Sequence, residues 1–249
     1  MICGKKVGKN RIMTSRVGGM ILLFMWLFSI DAWAWHDKTH LTICRAAGFD
    51  KWYHCAGPDI AKIKAGNVES YNHWFNNSAE IQITPQVVLD QAARYNRVEG
   101  EEEGHIYGAI IASLRQYQKT LQEGKYALYH LVYCAHYISD LSMPLHNIAY
   151  DDFNKQHHVA NDGIVEDTIL HQPKRITKHM YPIKLSQDNF ENDLAREIAR
   201  IANLSRKLGY RLRAENRDMT PEEAYVQLGH SASLFKAVLQ YLNQKNQRK

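Results

Sequence analysis

Apolar residues recur at three- and four-residue intervals through long stretches of this chain and nowhere alternate with polar ones over any length. The sequence is therefore committed to helices packed on helices. Ile106, Ile110, Leu114, Tyr117 and Leu121 mark one such stretch, and Leu128, Leu131, Ala135, Ile138 and Leu141 another. The same period predicts helices over 39–47, 58–65, 85–98, 189–208 and 221–243. Thr220 reads as the N-cap of the last, with Pro221 at the first helical position and Glu223 three residues on. With 45% apolar residues in 249, the chain can bury the core of one domain, and no repeat or composition shift marks a second. The expectation is an all-α, single-domain multi-helix bundle. Residues 100–104 and 147–156 read as loops between helices. The acids Glu101 to Glu103 read as a solvated turn, because adjacent carboxylates in a loop do not converge on one ion.

The first residues follow another logic. Lys5, Lys6, Lys9, Arg11 and Arg16 precede an apolar run from Met20 to Ile30, and Ala32-Trp33-Ala34 supplies the small-x-small pattern of a signal-peptidase site. The run has 11 residues, well short of the ~18 of a spanning helix, so cleavage after Ala34 is favoured over an uncleaved anchor. The expected product is a secreted or periplasmic bacterial protein of residues 35–249. Removing the basic leader lowers the formal charge from +5 to about +1, which removes any strong argument for a polyanionic partner. Export also permits disulfides. Cys44 and Cys55 are close enough in sequence to close a short loop, and Cys134, inside an apolar helical pattern, reads as a buried free thiol.

All thirteen histidines lie after the predicted cleavage point, and several have metal-ligand spacing. His136 and Asp140, four apart on a helix, reach one cation from the same face. Pro144 ends that helix and frees His146 to face a second ion. His158 and Asp162 repeat the four-residue step, with neighbouring His157 pointing elsewhere. Asp59 and His73 lie upstream; His54 and Glu69 compete with Asp59 for its place. A free amino group at Trp35 and its carbonyl can chelate a metal together with His40. His36, His105, His130, His171, His179 and His230 need no function beyond satisfied core or surface roles.

This pattern resembles the zinc-dependent phospholipases C and the S1/P1 nucleases, whose mature chains begin with a metal-binding tryptophan and carry His-x3-Asp-x5-His followed by His-x3-Glu/Asp. The likeness runs over about 35–168. It implies three zinc ions: one held by Asp59, His73, His136 and Asp140, a second by Trp35, His40 and Asp140, and a third by His146, His158 and Asp162. It further implies hydrolysis of a phosphodiester by water, with Asp59 orienting or deprotonating that water and the third ion on the leaving-group side.

The substrate is split between two branches. The short Trp35 to His40 step fits the nucleases, while the Asp59 to His73 and His146 to His158 steps fit the phospholipases. Trp74 can stack a nucleobase, cage a choline headgroup, or simply form a wall. The small mature charge and a compact exported chain favour a phospholipid headgroup over a nucleotide. Transient contact with a membrane surface follows from that preference, and no obligate protein partner is evident. A zinc-binding protein without catalysis is the reading of another class. It requires closed four-ligand sites, and the third site offers three protein ligands.

Overall fold

The computed structural model describes residues 35–99 and 101–247, which are helical and contain no strand. The predicted leader, 1–34, lies outside these residues. Ten α-helices run along the described chain: α1 Asp37–Ala46, α2 Gly57–Ala65, α3 Asn67–Ser70, α4 Pro85–Gln91, α5 Ile106–Gln122, α6 Leu128–Leu141, α7 Asp152–Asp162, α8 Pro173–Lys178, α9 Phe190–Glu215 and α10 Pro221–Gln247. The described residues belong to one compact unit.

The two most periodic stretches, α5 and α6, pack on each other at the centre. Ile106, Ile110 and Leu114 meet Leu131, Ile138 and Leu141, and α9 and α10 close the layer with Leu194, Ile198, Phe235 and Val238, all nearly excluded from water. A smaller apolar cluster joins Trp35 and Ile43 to Met143, Val165, Leu212 and Tyr225. It fastens the start of the described chain to α9 and α10, which lie far away in sequence.

Two glycines permit close approaches that fix the site's supports. A Cβ on Gly108 would stand 2.1 Å from the Gln91 carbonyl carbon, so α4 lies backbone-to-backbone on α5. A Cβ on Gly209 would stand 2.8 Å from the Pro144 oxygen, which seats α9 against the 3-10 turn Pro144–Asn147.

Several boundaries differ from the sequence expectation. The helix expected over 85–98 ends at Gln91, continues as a 3-10 turn, and is broken by Asn96 in the left-handed region. The stretch expected as a loop over 147–156 already contains the start of α7, because the Asp151 carboxylate accepts the Asn154 N–H at 3.1 Å and caps the helix. Glu101 is not part of a solvated turn. It is 5% exposed, gripped by both arms of Arg94 and facing His105 Nδ1 at 2.9 Å, so its charge is matched inside the protein. Thr220 and Glu223 form a reciprocal capping box, Thr220 N–H donating to Glu223 at 2.9 Å and Glu223 N–H to Thr220 Oγ1 at 3.2 Å. Cys44 and Cys55 are disulfide-bonded, and Cys134 is a buried free thiol pushed up to about 12 by burial.

Candidate metal centre

Five helical segments converge on one buried region. Helix α6 contributes His136 and Asp140 on one face, and the 3-10 turn after it carries His146. Helix α1 brings His40. Its first-turn N–H groups, left without a local cap, donate to the distant Glu166 carboxylate at 2.9 Å from Lys38 and 3.0 Å from Thr39. Asp59 projects from the first turn of α2, which Pro58 starts. His73 follows α3, and α7 presents His158 and Asp162 one turn apart. These eight side chains are 0–4% exposed.

They fall into three groups, each with ligand atoms within 4.8 Å of one another: His40, His136 and Asp140; Asp59, His73 and His136; and His146, His158 and Asp162. The first two share His136, and Asp140 touches both. Its Oδ1 is 3.3 Å from His40 Nε2, while its Oδ2 is 3.0 Å from His73 Nδ1 and 3.3 Å from His136 Nε2. Asp59 lies across the same gap, 3.5 Å from His136 Nε2 and 3.8 Å from His40 Nε2. In the third group His158 Nε2 is 3.3 Å from Asp162 and 3.2 Å from His146 Nε2.

Other atoms fix which ring nitrogen faces inward. His136 Nδ1 lies 2.7 Å from the Cys55 carbonyl, which can only accept, so that nitrogen carries the proton and Nε2 is left for an ion. Asn154 spends its amide hydrogens on the Leu145 and Ala149 carbonyls at 2.8 and 3.1 Å, so its oxygen receives the His158 Nδ1 proton at 2.6 Å. Both histidines therefore present Nε2 to the carboxylates.

The electrostatics divide along the same lines. Burial opposes a charge on His136, yet Asp59 and Asp140 overcome it and push the imidazole up to about 10. Burial also works against ionised Asp59 and Asp140, but the adjacent histidines, with Lys62 beside Asp59, hold both carboxyls below the usual range. His40 is lowered by burial and by neighbouring His136. The third group has no comparable counter-charge. Burial drives His146 down to about 4 and, with the Asp140 charge, drives Asp162 well above the usual carboxylate range.

The donor set fits dications. His40 Nε2, His136 Nε2, Asp140 Oδ1, His146 Nδ1 and both Asp162 oxygens are buried without a hydrogen bond. Such atoms are costly in a protein interior unless something else meets them. Mixed imidazole and carboxylate ligands around a shared carboxylate can hold metal ions and neutralise this charge.

Of the remaining expected residues, Trp35 is wholly buried, and the following N–H, that of His36, lies 3.4 Å from the Asp162 carbonyl. Residue 35 is thus next to α7 and five residues from His40. Trp74 packs edge-on against Tyr71 at 5.5 Å, and its carbonyl receives the Ile106 N–H at 3.3 Å. His157 turns away to Asp218 at 2.7 Å.

Sequence reasoning missed four nearby groups. Lys62 contacts Asp59 at 3.3 Å with little exposure. Tyr150, 43% exposed, stands edge-on to His158 and marks a rim. Asn154 and Glu69 each precede a candidate ligand by four residues, a helical spacing that was available to find them. Glu69 was weighed only as a substitute for Asp59; it contacts His73 from the side away from Asp140. No protein-family model, curated protein or solved structure matches the chain.

Proposed function

We propose that the chain is an exported phosphodiester hydrolase holding three zinc ions, of the phospholipase C/P1 nuclease type, with phospholipid as its substrate. The observation that carries this reading is the run of three buried histidine–aspartate groups, two of them joined by His136 and Asp140. Asp59, His73, His136 and Asp140 would hold one ion, Trp35 through its freed amino end with His40 and Asp140 the second, and His146, His158 and Asp162 the third.

Zinc bound in such a set supplies Lewis-acid polarisation of phosphoryl oxygens and a water acidified towards neutrality. The chain's own groups do the positioning. The Asp59 carboxylate can only accept hydrogen bonds while ionised, and so orients an attacking water. Lys62, beside it, places a cation where phosphoryl charge grows. The apolar shell from α5, α6 and α9 excludes bulk water and strengthens both interactions.

The lipid preference draws support from α2. The helix that turns Asp59 inward turns Ile60 and Ile63 outward, 62% and 60% exposed, with Val68 and Tyr53 also exposed nearby. An exposed apolar face beside the cluster suits contact with a lipid surface. The nuclease reading has its own observation, a groove of about 710 Å³ along α9 lined by Arg206, Lys207, Tyr210 and Arg213, which suits a phosphate backbone.

The test is a comparison of the zinc-loaded protein on phosphatidylcholine vesicles and on single-stranded DNA. Release of the phosphorylated headgroup supports the proposal, and its loss in Asp59→Asn supports the assigned role. Cleavage of DNA alone selects the nuclease reading. A zinc-loaded protein inert on both contradicts the enzymatic reading.

A further inference from the structure

His73 differs from the other histidines of the joined pair of groups in the nitrogen it presents. His40 and His136 offer Nε2 to Asp140, whereas His73 offers Nδ1, at 3.0 Å from Asp140 Oδ2 and 3.9 Å from Asp59 Oδ1. Its Nε2 points the opposite way, to Glu69 Oε1 at 3.2 Å. Glu69 is 5% exposed and sits on α3, four residues before His73. The imidazole is thus suspended between carboxylates on the ion side and a separate buried carboxylate behind it.

Glu69 is itself held. Tyr137, the residue after His136, donates its hydroxyl to Glu69 Oε1 at 2.7 Å, and Asn72 donates its amide to Oε2 at 3.2 Å. Asn72 also donates to Asn96 Oδ1 at 2.8 Å, and its oxygen faces His105 Nε2 at 2.8 Å. His105 Nδ1 faces Glu101, which Arg94 grips. A continuous buried polar chain therefore runs from the ion side of His73 to the partly exposed Arg94. This accounts for Glu101 and His105, which the metal groups do not use.

We propose that Glu69 is the positioning residue for His73: it accepts the Nε2 proton, keeps Nδ1 turned towards the ion shared with Asp59, His136 and Asp140, and is itself kept in place by Tyr137 and Asn72. A ligand histidine that gives its second N–H to a carboxylate is both oriented and made more basic. The carboxylate thereby acts on one ion of the set. This inference rests on the proposed metal binding, and its test separates the two.

Zinc affinities are measured on the full exported chain by competition with a chromophoric chelator for the wild type, Glu69→Gln and Tyr137→Phe, with circular dichroism to confirm folding. Nitrogen-15 spectra of the zinc-loaded wild type report which nitrogen of His73 carries the proton. Glu69→Gln weakens one ion roughly 10- to 100-fold and leaves the others unchanged; Tyr137→Phe weakens the same ion less; and His73 holds its proton on Nε2. A merely structural Glu69 would shift the melting temperature without singling out one ion. Wild-type affinity for every ion in folded Glu69→Gln, or a proton on His73 Nδ1, overturns the inference and leaves the metal reading standing. If Glu69→Gln does not fold, wild-type affinities in Tyr137→Phe overturn it instead. A wild type that binds no zinc overturns both.

Discussion

Asp140 and Asp162 are both buried carboxylates, but their surroundings give them opposite mutational signatures. Asp140 touches three histidines, so Asp140→Ala is expected to remove more than one zinc per chain by elemental mass spectrometry. Asp162 has two buried oxygens without hydrogen bonds. Asp162→Asn is therefore expected to cost one ion yet leave the metal-free protein as stable as the wild type or up to ~2 kcal/mol more stable in urea, because a buried carboxyl whose ionisation burial opposes is replaced by a neutral amide. A metal-free variant markedly less stable than the wild type would contradict this. The metal-free protein should also respond to pH. The His136 imidazole is raised to about 10 in the folded chain against ~6.5 unfolded. Its contribution is complete below ~6.5 and is lost as pH climbs through the folded value. Asp162, raised above the usual carboxylate range, pulls the same way, while His40 and His146, both lowered, oppose it only below ~6.5. Chelator-treated protein should thus lose up to ~1.4 kcal/mol per pH unit per group above neutrality. Zinc-loaded protein should not, because the ion replaces the proton on His136. Urea unfolding across the alkaline range, with and without chelator, checks both limbs. The pairs His136/Asp140 and His158/Asp162 were legible because four-residue steps place side chains on one helical face. The edge-on packing of Trp74 on Tyr71 was not, because it depends on how the chain folds back after α3.

At the scale of elements, the disulfide is a brace for the centre as well as a cross-link. Cys44 lies one turn after His40 on α1, and Cys55 offers its carbonyl to His136 just before the helix carrying Asp59. Closing a loop of 11 residues is worth about 2–3 kcal/mol. Cys44→Ser/Cys55→Ser should lower the unfolding midpoint accordingly and weaken zinc at the His40–Asp59–His136 side while sparing the His146–His158–Asp162 group; equal weakening of all ions would refute the brace. Helix packing offers a second test. Gly108→Ala forces a Cβ into the Gln91 backbone and should cost about 3 kcal/mol or more by calorimetry, since neither backbone can yield. Helix existence was readable from the apolar period of α5, α6, α9 and α10. The break at Asn96 and the early start of α7 were not, because a left-handed residue and an Asp151 cap act below the resolution of that period.

For the molecule as a whole, the polar centre is an electrostatic liability that bound cations can relieve. Buried charged and polar atoms without hydrogen bonds on α1, α6, the turn after it and α7 oppose folding, so zinc should raise the melting temperature and chelation should lower it. The all-helical architecture was legible from patterning alone. The buried polar chain behind His73 was not, because Glu101 looks like part of an acidic loop until the fold sets it beside Arg94 and His105. The most direct test of the centre is native mass spectrometry of the chain exported with its own leader and supplied with zinc. We predict a folded protein beginning at Trp35 and carrying three zinc ions. A folded chain that carries one ion or none would contradict the trinuclear centre and the hydrolytic reading that depends on it.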